Sequence, residues 1–273
     1  MNRTPVVFIH GAWLHALSWE PWAERFTSRG FSTFAPKWPG EAPTVRETRR
    51  SPGALGEIGL DALTDHYGRI VRSFDSSPVL VGHAAGGLVA QHLIGANLGR
   101  AAVAIAPAPV NDVPLTASSA RLWTPDRENS GDPASGYGLV SLPSERFRHV
   151  FANTVGPEES DGLFERYVVP APRRLLTDLV LGNAVHRPGA FADVGNAARG
   201  PLLLVSGQED RMVPDPVTRA VYRLYGDSTA VSELKQFADR GHSMVVDSGW
   251  RAVADHVLGW LDTHGVHALA KER

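Results

Sequence analysis

The chain contains no cysteine. Disulfides, thiolate metal sites and a cysteine nucleophile are thereby excluded. It also lacks long apolar runs. The first such run, Val6 to Ile9, is too short for a secretory signal core or a membrane span. Nothing later reaches the ~18 uninterrupted apolar residues that a span needs. The expectation is a soluble, cytoplasmic protein with no membrane partner. A basic surplus is missing too: the formal net charge is -2, so nucleic acid is not an expected partner. No Gly-x-Gly-x-x-Gly follows an apolar run, which removes the usual dinucleotide signal. Repeats and low-complexity tracts are absent as well.

What is present is an ordinary globular composition, 43% apolar and 21% charged. Its 273 residues leave room for one or two domains at ~150 residues each. Short apolar runs alternate with helical patterns. Val6 to Ile9 reads as a buried strand, Trp19 to Ser28 as a helix ended by Gly30, and Phe31 to Ala35 as a strand stopped by Pro36. Lys37 to Gly59, rich in Pro, Gly and charge, reads as a long loop. Leu60 to Phe74 is helical, Pro78 to Val81 a strand, Gly86 to Leu98 a helix and Ala101 to Ile105 a strand.

The rhythm then breaks. Residues 107–187 show no clear strand run but contain helical stretches such as Ser144 to Asn153 and Glu158 to Val168. Alternation resumes with strands at Pro201 to Val205 and Ser232 to Phe237, and helices at Pro216 to Tyr225 and Trp250 to His264. This rhythm predicts an α/β fold with a mostly parallel sheet covered on both faces. The core is assigned to residues 1–106 and 188–273. Residues 107–187 read as a helical lid over the C-terminal edge of the sheet, where open α/β sheets hold their ligands.

The informative segment is Val79-Leu80-Val81-Gly82-His83-Ala84-Ala85-Gly86-Gly87. A buried strand enters a tight glycine-flanked turn, and a helix follows at once. This resembles the Gly-x-Ser-x-Gly nucleophile elbow of the α/β-hydrolase fold, in the strand-turn-helix context that the motif requires. Residue 84, where the attacking side chain would stand, is alanine. Three more segments occur in that family's order. Ser206-Gly207-Gln208-Glu209-Asp210 follows a strand and looks like the acid loop, with Asp210 at the acid position. Asp239-Arg240-Gly241-His242 looks like the histidine loop, with His242 as the base. His10-Gly11-Ala12-Trp13 ends the first strand and is similar to the family's oxyanion segment. The resemblance implies that the N–H groups of Ala12 and Ala85 form an oxyanion hole, and that no cofactor is needed. It covers residues 5 to 110 and 199 to 265. The two extra N-terminal strands of longer family members have no counterpart ahead of the His-Gly strand.

Plainer readings stand beside these. Asp210 could cap the helix that follows, and His242 could be a surface loop residue. Glu209 and Asp239 are displaced from the acid position. His10 and His15 could suggest a metal pair, but no adjoining carboxylate completes a ligand set, so no metal is expected. Trp13, Trp38, Trp123 and Tyr167, with His83, are the candidate substrate-binding residues. Tyr137 and Phe151 are further aromatics of the same stretch. If they face a cavity, it is wide and apolar and suits a hydrophobic small molecule. The sequence leaves a homodimer open.

Ala84 has three explanations: a nucleophile replaced by design in an intact site, a native alanine in a non-covalent enzyme such as a cyclase, a lyase or an epoxide-hydrolase-like enzyme whose His–Asp dyad activates water, or a native alanine in a small-molecule binding module. The retained Asp210, His242, Ala12 and Ala85 favour the first. The epoxide-hydrolase branch places aspartate at the elbow, typically followed by Trp, and usually has Pro shortly after His-Gly. This chain has Ala85 and Ala12-Trp13 there, so serine is the expected parent residue. The expected parent reaction is acyl transfer from an ester or lactone to water.

Overall fold

The structure is a computed structural model that describes residues 3–123, 138–181 and 188–269. Tyr137 and the expected domain boundary at 187 lie outside these residues. Six strands build the central sheet: β1 (Pro5–Ile9), β2 (Ser32–Phe34), β3 (Val79–His83), β4 (Ala101–Ile105), β7 (Leu202–Gly207) and β8 (Ser232–Phe237). Their order across the sheet is β2-β1-β3-β4-β7-β8, with every pairing parallel.

The four inner strands are buried along their whole length. That explains their near-continuous apolar sequences, since a parallel sheet is covered on both faces. The edges differ. β8 reads Ser-Glu-Leu-Lys-Gln-Phe and β2 is three residues long, so both edges are polar or short and blunt unwanted strand pairing.

Helices α1 (Glu20–Thr27), α3 (Leu60–Arg72), α4 (Ala85–Gly95), α9 (Asp215–Leu224) and α10 (Trp250–Thr263) cover the sheet. α1 packs on α10, and α3 on α4. Phe8 of β1 anchors an aromatic cluster with Trp19, Trp22 and Phe26, at ring separations of 5.1, 6.4 and 5.3 Å. α4 sits under the elbow and is buried on nearly every side, which accounts for its run of small and aliphatic residues.

The expected loop from Lys37 to Gly59 is a correction. It contains α2 (Val45–Arg50) and a 3-10 turn, Pro52–Leu55. Thr44 and Glu47 form a reciprocal capping box that starts α2, a local signal that the Pro and Gly content masked. In the middle block, α5 (Ala117–Trp123), α6 (Ser144–Arg146), α7 (Pro157–Tyr167) and α8 (Arg173–Leu181) are helical. A π-helical turn, Phe147–Phe151, extends α6. The absence of strands expected there is also corrected: β5 (Leu139–Val140) and β6 (Ala171–Pro172) form a two-residue antiparallel pair. Runs that short carry no readable period. Among the described residues no helix is long and apolar enough to cross a membrane.

Candidate active site

The elbow joins β3 to α4 through a single strained residue. Ala84 has φ 51° and ψ -114°. A side chain in this region costs about 1–3 kcal/mol and persists only where its surroundings over-determine it. They do so here. The Ala84 N–H donates to the Ile105 carbonyl at 3.0 Å, and its own carbonyl accepts from Gly87, Leu88 and Ala108 at 3.0, 3.1 and 2.9 Å. The flanking glycines are required by close approach. A Cβ on Gly82 would collide with the Gly86 carbonyl, and one on Gly86 with the Ile9 carbonyl. Small residues thus let β1, β3 and α4 converge on one point.

The same convergence brings the His10–Trp13 segment to the elbow. A Cβ on Gly11 would meet the Ala84 methyl at 2.8 Å. Among the described residues, neither the N–H of Ala12 nor that of Ala85 has an acceptor. Ala85 opens α4, where the first N–H groups of a helix are left free.

Asp210 and His242 meet at the C-terminal end of the sheet. His242 Nδ1 lies 2.7 Å from Asp210 Oδ2, and both side chains are fully buried. The other carboxylate oxygen, Oδ1, accepts from the N–H groups of Met212 and Val213, each at 2.8 Å. Asp210 is not the N-cap of the next helix, which Pro214 occupies. Its orientation is fixed by its own loop. Since a carboxylate only accepts, Nδ1 must carry the proton, and Nε2 is left as the basic nitrogen. Of the two displaced acids, Glu209 is exposed, and Asp239 is 76% exposed and pairs with Arg240.

His83 lies beside His242, with ring centroids 4.6 Å apart, and its Nε2 donates to the His242 carbonyl at 3.0 Å. Burial, reinforced by the nearby His242 ring, holds His83 well below its ordinary value. It is a neutral spacer that carries the histidine loop.

Two aromatics of the middle block pack against His242. Phe151 stands edge-on to His242 at 4.7 Å, and Trp123 at 6.3 Å. Trp123 is tied down by a 2.9 Å bond from Nε1 to the Met212 carbonyl, and Trp13 packs 5.8 Å from it. Asn153 Nδ2 donates to the Glu209 carbonyl at 2.9 Å, which fastens the block to the acid loop. The structure therefore brings together His83, Trp123 and Phe151 around His242, with Trp13 behind Trp123. Trp38 stacks on His10 at 4.5 Å. Tyr167 lies under the Arg166 guanidinium at 5.1 Å.

The expected lack of a carboxylate near His10 and His15 is a correction. Glu41 lies 3.4 Å from His10 Nε2 and 3.8 Å from His15 Nε2. No sequence signal marked it, because a glutamate after Pro-Gly reads as an exposed loop residue. His15 has both ring nitrogens committed, Nδ1 accepting from Leu17 and Nε2 donating to the Ala42 carbonyl. Among the described residues no cluster has the arrangement of a metal site.

The profile of the alpha/beta hydrolase family matches residues 6–256. The chain belongs to that family. Solved structures agree on the fold. A monoacylglycerol lipase from Paleococcus ferrophilus is 21% identical with a TM-score of 0.67, over 95% of this chain and 94% of that one. The methylesterase MES16 from Arabidopsis is 16% identical with a TM-score of 0.68, over 95% and 99% of the two chains. An extracellular alpha/beta-hydrolase from a Paenibacillus species is 18% identical with a TM-score of 0.64, over 94% and 98%. No curated protein matches the sequence.

Proposed function

We propose that this chain is a hydrolase of esters or lactones of hydrophobic small molecules, in a form that lacks its nucleophile. One observation carries the reading. A buried, hydrogen-bonded Asp210–His242 pair stands with a strained elbow whose residue, Ala84, keeps a Cβ at positive φ. If position 84 were only a turn, glycine would fit it without strain. A side chain held there points to an attacking group, and serine is the residue that matches this apparatus. The lipase and methylesterase structures that share this fold lend support.

In the parent chemistry a serine hydroxyl at position 84 would attack the carbonyl while His242 Nε2 takes its proton. Asp210 would hold the tautomer and stabilise the imidazolium that forms. The Ala12 and Ala85 N–H groups would receive the oxyanion. His242 would then protonate the leaving alcohol and activate water to release the acid. With Ala84 the covalent route is closed. Loss of a nucleophile typically costs ~10⁶ in kcat.

The test is Ala84→Ser, assayed on aryl esters from acetyl to decanoyl and with a fluorophosphonate probe. Turnover and labelling support the reading; an inert, unlabelled serine form removes it. A native non-covalent enzyme would instead turn over its substrate with Ala84 in place and lose that activity in His242→Ala. A binding module would hold ligand without turnover in either form.

A further inference from the structure

A second buried carboxylate, Glu41, lies against two imidazoles, one of them in the oxyanion segment, and the mechanism above does not use it. Glu41 has a side chain 1% exposed. Its Oε1 accepts the Ala16 N–H and its Oε2 the Trp38 N–H, both at 3.2 Å. Burial would push this carboxyl up. The rings of His10 and His15, with the N–H groups, outweigh burial and hold it below its ordinary range. Both of its oxygens accept backbone N–H groups, which suits a carboxylate, and a buried carboxylate calls for a counter-charge.

His15 cannot supply it. Its Nδ1 accepts an N–H and so carries no proton, and burial holds the ring below its ordinary value. Lys37 is exposed, and Tyr67 is turned to the Pro36 carbonyl at 2.8 Å. His83 is held neutral by its burial. That leaves His10. Its Nδ1 lies 3.1 Å from the Gly11 carbonyl. A carbonyl only accepts, so Nδ1 carries a proton. Its Nε2 then faces Glu41 Oε2 at 3.4 Å, an ion-pair distance without hydrogen-bond alignment. A bare Nε2 lone pair would face a carboxylate oxygen there and be repelled. A protonated Nε2 removes the repulsion and neutralises Glu41.

The Gly11 carbonyl and the Ala12 N–H belong to one peptide group. A charged donor on the oxygen draws electron density through that group and strengthens the N–H as a donor. We propose that the His10–Glu41 ion pair is a positioning and polarising device for the oxyanion hole: an imidazolium on the Gly11 carbonyl sharpens the Ala12 N–H, and Glu41 keeps the imidazolium charged. The proposal rests on reading Ala12 as an oxyanion donor. Trp38 is buried and stacks on the His10 ring at 4.5 Å.

Two measurements test it. Long-range proton–nitrogen NMR of the histidine rings in the unaltered chain at neutral pH reads the charge state directly, with His10→Asn assigning the signal. Both His10 nitrogens are expected to be protonated; one bare nitrogen overturns the proposal whether or not any variant folds. In the Ala84→Ser form, Glu41→Gln and His10→Asn are each expected to lower kcat about tenfold, a fraction of the loss when a whole donor is removed. KM should stay within about twofold, and the double variant should lose no more than either single one. Unchanged kcat in both singles overturns the polarising role while leaving the hydrolase reading intact. An inert Ala84→Ser form overturns that reading and this role with it, and the NMR result then stands as a finding about the ion pair alone.

Discussion

Among the described residues two buried carboxylates lie against imidazoles, and they are built differently: Asp210 meets one ring, His242, and Glu41 meets two, His10 and His15. Asp210 and His242 are joined by a 2.7 Å hydrogen bond, and backbone N–H groups of the acid's own loop hold the second oxygen. Glu41 and His10 are 3.4 Å apart without alignment, and the glutamate spends its oxygens on N–H groups of two separate segments. The first pair leaves a ring nitrogen for proton transfer. The second leaves none, since both His10 nitrogens face acceptors. One geometry suits a base that must gain and lose a proton; the other suits a fixed charge.

The comparison is broken most severely at Asp210. In the Ala84→Ser form, Asp210→Asn should lower kcat by ~10⁴, because the wrong tautomer is then favoured. The neutral change at Glu41 should cost about tenfold. Steady-state kinetics on one aryl ester separates them, and equal losses would mean that the two pairs do the same work.

Gly86→Ala attacks the frame that both pairs share. Its Cβ would drive α4 off β1 at the Ile9 oxygen, at a cost of about 3 kcal/mol. Urea unfolding would read this as a lower midpoint; an unchanged midpoint would show that the packing is looser than described.

Acid should reveal His83. His83 is held well below 6.5. Above that pH both folded and unfolded states are neutral and the group is silent. Below about 6.5 the unfolded chain binds a proton that the folded chain refuses, so stability falls as pH drops, by up to ~1.4 kcal/mol per unit for this one group. His15, also lowered, adds a slope of the same sign. His83→Gln should flatten the urea-derived profile between pH 5 and about 6.5; an unaltered slope contradicts the neutral assignment. The smallest effect is at the elbow itself. Ala84→Gly should stabilise the fold by about 1 kcal/mol, as released strain exceeds the entropy of glycine. Destabilisation in the same urea experiment would show that the positive φ is not strained.

The elbow and the Asp210–His242 pair were readable because each part sits at a strand end followed by a turn: Gly82 to Gly86 after β3, Asp210 after β7, and His242 after β8. Buried parallel strands announce themselves by apolar runs, and the chemistry lies where those runs stop. Ala101–Ile105 and Ser232–Phe237 have the expected bounds. The Glu41 side was not readable. Its partners come from the 38–42 loop and the turn after β1, and no period links residues that only tertiary packing brings together. Trp38 and Tyr167 show the same limit from the other direction. Both are aromatic and buried; the first stacks on His10 and the second lies under the Arg166 guanidinium. An aromatic's burial is legible from composition, whereas the face it turns is set by neighbours far along the chain.

The central claim is that the machinery around Ala84 is intact and waits only for a nucleophile. Reacting Ala84→Ser with a fluorophosphonate probe, beside Ala84→Ser/His242→Ala and the unaltered chain, tests it most directly. The account predicts rapid labelling at residue 84 in the first, little in the second and none in the third. A serine form that folds and stays unlabelled would contradict it.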